Sequence, residues 1–143
     1  MEIIIKQAIM SEAEDILELQ KIAYQSEAGL YQDWNIPPLL QTLQQLQLEF
    51  ENHKIIVATF NDEIIGSVRG YVDQDTLHIG RLIVHPDFQK QGIGKELIRL
   101  TKLETPKAKL ILLAAPKAVN YYPKIGMTRH ENCYFLDDIN KLK

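Results

Sequence analysis

The sequence predicts an α+β protein built on a mixed, mostly antiparallel sheet with helices on both faces. Runs of β-branched and apolar residues indicate strands, and apolar residues recurring about every 3.6 positions indicate helices. The elements follow one another as β-α-α-β-β-β-α-β-α-β, with a further strand if a hairpin begins at Met127. Because strands and helices neither alternate strictly nor form separate blocks, this order favours a mixed sheet over a parallel one.

The first part of the chain is predicted to hold one strand and two helices. Alternation around an isoleucine-rich centre indicates the strand, and Ser11-Glu-Ala-Glu14 matches a capping box at a helix start. Pro37-Pro38 is typical of the first turn of another helix. The predicted elements are a strand at 2–9, a helix at 11–25, a loop or broken helix at 27–35 and a helix at 37–52.

The rest of the chain is predicted to complete the sheet and to add two helices. Asn61-Asp62 indicates a hairpin turn, and Thr105-Pro106 ends the helix that follows the fourth strand. Pro123 makes the last helix short or irregular at its end. The predicted strands are 54–60, 63–72, 76–84, a buried strand at 109–114 and 131–136, and the predicted helices are 95–104 and 117–125.

A binding site for an anion is predicted where the fourth strand ends. His85-Pro86-Asp87 follows Val84 and ends the strand, because proline cannot donate to a ladder. Gln89-Lys-Gln-Gly92-Ile-Gly94 then leads into a helix, and Lys90 and Lys95 add positive charge. Glycines let the backbone approach an oxyanion, and the N–H groups of a first helical turn favour negative charge. The alternative is a helix start that uses glycine only to turn the chain.

The spacing of the glycines narrows the kind of phosphate ligand. A dinucleotide fingerprint needs G-x-G-x-x-G and a P-loop needs G-x-x-x-x-G-K-[ST], and neither pattern is present. The order Gln89-x-x-Gly92-x-Gly94 resembles the acyl-CoA pyrophosphate loop, Q/R-x-x-G-x-G/A, of the GCN5-related N-acetyltransferase (GNAT) superfamily. Tyr121-Tyr122-Pro-Lys-Ile-Gly126-Met127 resembles a second pattern of that superfamily, F-Y-x-x-x-G-F, with methionine in place of the final phenylalanine. The resemblance covers roughly residues 55–136.

The resemblance implies a three-layer αβα fold whose sheet has six to seven strands. In that family the parallel strands, here 76–84 and 109–114, splay apart and the thioester of acetyl-CoA enters between them. The residues implied to bind this cosubstrate are Leu82, Ile83 and Val84, whose backbone faces the thioester carbonyl, and Gln89, Lys90, Gln91, Gly92, Ile93, Gly94 and Lys95, which hold the pyrophosphate.

The same resemblance implies two catalytic side chains. Tyr122 occupies the position whose hydroxyl protonates the leaving thiolate, whereas Tyr121 is expected to pack inward. His78 occupies the position where several members carry a Glu or His base, and imidazoles titrate near neutral pH. The structural alternatives are a half-buried tyrosine with a satisfied hydroxyl and a half-exposed strand histidine without a role.

The acceptor amine is expected to bind near the first two helices. Glu27 and Asp33 supply carboxylates for a cation, and Tyr31 and Trp34 supply aromatic faces. The alternative is a surface loop anchored by one buried tryptophan. Substrate selection by this region is implied by the resemblance, and the identity of the amine is not encoded in any motif.

Composition narrows the remaining classes of partner and compartment. The 143 residues fit a single domain, 1–143, and a net charge of −3 argues against a nucleic-acid partner. The single cysteine, Cys133, excludes an internal disulfide and a multi-cysteine metal site, so no metal is expected. No signal peptide or membrane-spanning run is apparent, which makes the cytoplasm the default, and a homodimer is one possible assembly.

Three functions fit these observations. The first is an N-acetyltransferase that moves an acetyl group from acetyl-CoA to a primary amine of a small molecule or peptide, by direct attack in a ternary complex. The second is a non-catalytic acyl-CoA-binding or sensing module, which would need neither Tyr122 nor His78. The third, a phosphate-ligand protein outside the superfamily, lacks a supporting glycine pattern.

Overall fold

A computed structural model describes residues 2–112, 120–129 and 140, apart from the side chain of Glu27. The chain forms two compact units, Met1–Leu112 and Leu113–Lys143. The first unit contains β1 (Ile4–Gln7), a 3₁₀ turn (Met10–Glu12), α1 (Ala13–Tyr31), α2 (Pro37–Leu40), α3 (Leu43–Glu49), β2 (Lys54–Phe60), β3 (Glu63–Asp73), β4 (Thr76–Val84), a 3₁₀ turn (Pro86–Phe88), α4 (Ile93–Glu104) and β5 (Lys109–Ile111). The described part of the second unit contains α5 (Tyr121–Lys124).

The five described strands form one sheet in the order β1-β2-β3-β4-β5. The first four are antiparallel to their neighbours, and β5 runs parallel to β4, with Thr76 opposite Lys109 and His78 opposite Ile111. The α+β class with a mixed sheet is therefore confirmed. The predicted strand at 131–136 and the end of the strand predicted at 109–114 lie outside the described residues. The described part of β5 is not buried as predicted, because Ile111 is exposed.

Helices cover both faces of this sheet. Ile55 and Val57 of β2 pack with α1 and α3 in one core, and the alternate residues of β2 are buried on the opposite face, which α4 covers. Gly66 of β3 allows α4 to lie close, since a Cβ there would lie 3.2 Å from Leu97 Cδ1 and 3.3 Å from Ile93 Cγ2. Each buried leucine or isoleucine contributes about 1.5–3 kcal/mol. Packing on two sides explains why β2 is apolar almost throughout.

The first helix is longer than predicted. The expected loop or broken helix at 27–35 is wrong for residues 27–31, which continue α1, and is confirmed for residues 32–35, which follow the helix end at Gln32, where φ is +52°. Gly29 does not break the helix, and the ring of Trp34 folds back beside it, with Trp34 Cη2 3.8 Å from the position a Cβ would occupy, an ordinary contact distance. A glutamine in the left-handed cap conformation gives no sequence signal comparable to glycine.

Two predicted helix boundaries also differ from the structure. The capping box at Ser11 is absent, because Ser11 lies inside a 3₁₀ turn and the Glu12 carboxylate accepts from the Ile9 N–H at 2.9 Å. The helix predicted at 37–52 is divided into α2 and α3. Thr42 causes the division, since its hydroxyl caps α3 by accepting from the Gln45 N–H at 3.2 Å.

A buried polar network joins the sheet to the three helices on one face. Arg69 of β3 is 3% exposed, its Nη2 donates to Gln20 of α1, and its Nη1 donates to Gln41 at 3.1 Å. The same Nη1 lies 2.8 Å from a Glu49 carboxylate oxygen of α3. Gln20 in turn donates to the Pro38 carbonyl of α2 at 2.8 Å. Burial lowers the pKa of Arg69, and the Glu49 charge opposes that shift.

No helix among residues 2–112, 120–129 and 140 is long and apolar enough to span a membrane.

Replacing Arg69 with methionine tests the energetic importance of the network. We expect Arg69→Met to lower the free energy of unfolding by about 3 kcal/mol, because two buried glutamine oxygens and one carboxylate lose their donor. Arg99→Met is the matched control, since Arg99 also lies 2.8 Å from a carboxylate, that of Glu96, but is exposed on α4. Urea unfolding of both variants measures the difference. Equal, small effects would contradict a structural role for the buried pair.

Candidate functional site

The segment predicted to bind an anion turns sharply into α4. Lys90 has a φ of +66° and Gly92 a φ of +80°, so two of three consecutive residues adopt left-handed backbone conformations. Gly92 is the N-cap of α4, and a Cβ placed there would meet nothing within 4 Å. The glycine is therefore required by the backbone conformation, and the space beside it is open.

The N-terminus of α4 has the properties of an anion site. No side chain caps this helix, so its first N–H groups have no side-chain acceptor. Lys90 and Lys95 are exposed beside it. Glu96 is the one acidic residue in the first turn, and its oxygen lies 2.8 Å from Arg99 Nη2. The hydrogen bond from Arg99 lowers the pKa of Glu96 and its positive charge neutralises the carboxylate, so the helix dipole and the lysines dominate.

Hydrogen bonds tie the loop to the end of β4. The Gln89 side-chain amide donates to the Val84 carbonyl at 3.3 Å, and the His85 N–H donates to the Ile65 carbonyl of β3 at 2.7 Å. His85 Nδ1 accepts from the Asp87 N–H at 3.1 Å and so caps the 3₁₀ turn. These contacts fix the direction in which the chain leaves the strand, and they give Gln89 and His85 local structural roles.

A β-bulge interrupts β4 between its two predicted functional regions. Ser67 pairs with Ile83 and Arg69 pairs with Gly80, so two residues of β4 lie opposite one residue of β3. Arg81, the first of the two, has a φ of +52°. A bulge adds one residue to a strand, bends it and changes which side chains share a face. Non-glycine residues adopt this conformation at a cost, and such residues concentrate at functional sites.

Within the described residues, β5 pairs with the first part of β4. Within residues 2–112, the two strands pair only from Thr76 to His78, and residues 79–84 have no partner from β5. Leu82, Ile83 and Val84, predicted to face the thioester, lie in this stretch of β4. The segment predicted to hold the pyrophosphate follows them directly along the chain.

His78 lies in an aromatic cluster on the face that α1 covers. It pairs across the strands with Tyr71, and the two rings are stacked with centroids 4.9 Å apart and planes 9° apart. Tyr71 also meets His53 edge to face at 5.2 Å. Tyr71 shares the face of Arg69, two residues earlier on β3, because side chains alternate along a strand. The stack limits rotation of the His78 imidazole.

The residues predicted to bind the acceptor lie at the end of α1. Glu27 is within the helix, and Tyr31 is its last residue and 47% exposed. Trp34 follows the helix and is 58% exposed. The alternative of a loop anchored by a buried tryptophan is therefore wrong. Asp33 is engaged locally, because its carboxylate accepts from the Asn35 N–H at 3.0 Å.

The second unit carries the tyrosine pair on a helix of one turn. The rings of Tyr121 and Tyr122 meet edge to face at 5.2 Å. The expectation that Tyr121 packs inward is wrong, since it is 38% exposed and Tyr122 is the less exposed of the two. Partial burial still raises the pKa of Tyr121. Gly126 ends the helix with a φ of +100°, as its predicted role in the motif requires.

Three residues of this region had no sequence signal. Arg69, Tyr71 and Arg81 belong to no motif, and their importance depends on strand register and on the bulge. A cross-strand partner is separated in sequence by a turn whose length decides the register. Among the described residues, no group of three or more His, Cys, Asp or Glu side chains could hold a metal ion.

Comparison with known proteins places this geometry in context. The family model described as an Acetyltransferase (GNAT) domain matches residues 23–140. An uncharacterized N-acetyltransferase, ycf52 of Pyropia yezoensis, is 27% identical over 96 residues, which cover 61% of this chain and 55% of that protein. The chain thus spans about half the length of the curated relatives it matches.

Solved structures share the fold at lower identity. The PaiA N-acetyltransferase of Thermoplasma acidophilum, in complex with coenzyme A, has a TM-score of 0.79 and 14% identity, covering 93% of this chain and 94% of its own. The aminoglycoside acetyltransferase meta-AAC0020 from an uncultured soil metagenomic sample, in complex with sisomicin, has a TM-score of 0.73 and 18% identity, with 95% coverage of both chains.

Proposed function

The chain belongs to the GNAT acetyltransferase family, and from this premise we propose that it transfers the acetyl group of acetyl-CoA to a primary amine of a small molecule or peptide. The transfer proceeds by direct attack within a ternary complex. Residues 1–143 act together as one domain in this proposal, which is supported by a family match that extends across both compact units.

The observation that carries the proposal is the open N-terminus of α4. Its first N–H groups lack a capping side chain, and Gly92 leaves the approach unobstructed. Lys90 and Lys95 are exposed near the helix start, and the Glu96 carboxylate in the first turn is already paired with Arg99. This donor set suits the pyrophosphate of acetyl-CoA, with Gln89 through Lys95 as its binding segment. A related fold solved with coenzyme A supports the choice of ligand.

The chemistry requires an amine nitrogen to attack the thioester carbonyl carbon. A new C–N bond forms, the C–S bond breaks, and the products are an N-acetylated amine and the thiol of CoA. Backbone N–H groups of residues 82–84 donate to the carbonyl oxygen as negative charge develops there. The support for this role is the place of these residues at the end of β4, shortly before the segment from Gln89 to Lys95.

Two side chains carry out the proton transfers. His78 accepts the proton that the amine loses, and Tyr122 donates a proton to the departing thiolate. The support for His78 is its place on β4, three residues before the bulge, and its stack against Tyr71. The support for Tyr122 is its motif and the glycine cap that follows it. The raised pKa of Tyr121 makes that hydroxyl a weaker acid than an ordinary tyrosine.

The acceptor is a small amine in this proposal, bound near the end of α1. Tyr31 and Trp34 have exposed rings there, and Glu27 lies one turn before Tyr31 in α1. A relative of this fold solved with sisomicin is an aminoglycoside acetyltransferase, which supports a small-molecule acceptor. Rings of this kind pack against the apolar part of an amine or against its cationic end.

Substitution of Gly92 tests the pyrophosphate site. Gly92→Asp is expected to weaken acetyl-CoA binding at least about tenfold, because it places a negative charge where the phosphates bind. Gly92→Asn is the matched control, since asparagine has the same size and also tolerates the left-handed conformation. Isothermal titration calorimetry measures both affinities. Equal affinity in two folded variants would show that the pyrophosphate binds elsewhere.

Removal of the His78 imidazole tests the base. We expect His78→Ala to lower kcat about a hundredfold while acetyl-CoA binding is retained, since a positioned base contributes about 10²–10⁴ in rate. His53→Ala is the control, because His53 contacts the same tyrosine, Tyr71, but has no proposed role in catalysis. Thiol release with a panel of amines gives the rates. A loss of only a few-fold in His78→Ala would assign deprotonation to another group.

Deletion of one hydroxyl tests the acid. Tyr122→Phe keeps the ring, so stability is expected to change little while kcat falls about a hundredfold, the lower end for a general acid because thiolate is a good leaving group. Tyr121→Phe is the control on the neighbouring ring. If Tyr121→Phe is the slow variant, the roles are exchanged. If neither variant is slow, the thiolate leaves without a protein acid.

A further inference from the structure

The half-buried Arg81 has no carboxylate partner in the described part of the chain. The ion pairs of residues 2–112 and 120–129 include Arg69 and Arg99 but not Arg81. Arg81 lies within electrostatic range of Arg69, whose pKa its charge lowers. The charge of Arg69 is compensated by Glu49 at 2.8 Å. Among the described residues, Arg81 is therefore the cation near the bulge that no carboxylate compensates.

Two buried donors on β3 lie beside the bulge that holds Arg81, whereas the nearby oxygens of Gln20, Gln41 and Glu49 are directed at the terminal nitrogens of Arg69. Ser67 Oγ and Arg69 Nε are both buried, in side chains 1% and 3% exposed, and neither has a hydrogen-bond partner among the described residues. Ser67 and Arg69 pair with the β4 residues on the two sides of the bulge. Unpaired buried donors are costly, and their presence marks a place where an acceptor from outside the chain would be stabilising.

The backbone holds Arg81 in this position at an energetic cost. Its φ of +52° makes it the non-glycine residue of β4 with left-handed backbone geometry. Asparagine or glycine would adopt that conformation at a lower energetic cost. An arginine at this position therefore suggests that its side chain has a function that offsets the cost. His78, the proposed base, lies three residues earlier on the same strand.

We propose that Arg81 binds an anionic group of the acceptor, so that the substrate is an amine that also carries a carboxylate or a phosphate. This inference rests on the proposed function and narrows its acceptor class. Arginine binds both groups with paired N–H donors, and a charge-assisted contact at a half-buried site discriminates strongly against neutral analogues. The amine of such a substrate would lie within reach of both His78 and the thioester at residues 82–84, with its anionic group on the Arg81 guanidinium.

Matched acceptors test the inference. 4-Aminobutyrate is compared with 4-aminobutanamide, and O-phosphoethanolamine with ethanolamine, by thiol release from acetyl-CoA. In the wild-type protein we expect kcat/KM for the anionic member of at least one pair to exceed that of its neutral partner at least about tenfold. The pair that shows the preference distinguishes a carboxylate from a phosphate.

Variants of Arg81 assign the preference to its charge. In Arg81→Gln the anionic-to-neutral ratio is expected to fall close to one, and Arg81→Lys, which keeps the charge, is expected to restore part of it. Arg129→Gln is the control, since that arginine is exposed and lies outside the proposed cofactor and acceptor segments. A ratio that persists in Arg81→Gln, or a wild-type enzyme that acetylates neutral amines without preference, would overturn the inference while the proposed function stands.

Two further outcomes separate the remaining explanations. If Arg81→Gln weakens acetyl-CoA binding as much as it lowers the ratio, the arginine holds a cofactor phosphate and the inference is wrong. If no amine in a broad panel releases thiol, the proposed function fails and the inference fails with it. Melting temperatures of the two Arg81 variants show whether each is folded, and Arg81→Lys keeps the test valid if the glutamine variant is not.

Discussion

The buried guanidinium of Arg69 is the constraint on which the face of the proposed acceptor site depends. Three side chains contact the guanidinium directly: Gln20 of α1, Gln41 between α2 and α3, and Glu49 of α3. Gln20 extends the network to α2, because it also donates to the Pro38 carbonyl. Because α2 has only four residues and α3 seven, neither could hold its position by helix propensity alone. The hydrogen bonds to the charged Arg69 fix the positions of α2 and α3 along the sheet, whereas apolar contacts alone would allow these short helices to shift. The cost of burying that charge is the reason the network must be nearly complete.

The two faces of the sheet have different tasks. On the α4 face, apolar packing and Gly66 bring the helix close to the strands, so its N-terminus is held beside the end of β4. On the α1 face, polar and aromatic side chains, Arg69, Tyr71 and His78, form a surface with defined orientation. An anion-binding helix end needs only backbone and rigidity, whereas selection of an amine needs side chains. The division follows from the alternation of side chains along β3 and β4.

Local signals made part of this structure predictable from sequence. The loop from Gln89 to Gly94 and the strand before it carry their information within a few neighbouring residues, and the strands β2, β3 and β4 were predicted almost to the residue. The length of α1 was not, because its end depends on Gln32 in an unusual conformation and on Trp34 folding over Gly29. The positions of Tyr71 and Arg81 in the site were not predictable either, because the neighbour of a residue on the adjacent strand is known only once the strand register and the bulge are known.

The bulge in β4 links these observations to chemistry. Before it, His78 pairs with Tyr71; after it, Ile83 and Val84 pair with Ser67 and Gly66. The bulge thus divides β4 into two segments. In the first, the His78 side chain lies on the α1 face; the second leads into the loop before α4. A regular strand would have to present the proposed base, His78, and the backbone proposed to bind the thioester in one unbroken alternation of side chains. The bulge relaxes that requirement, and it places a cation, Arg81, at the boundary between the two segments.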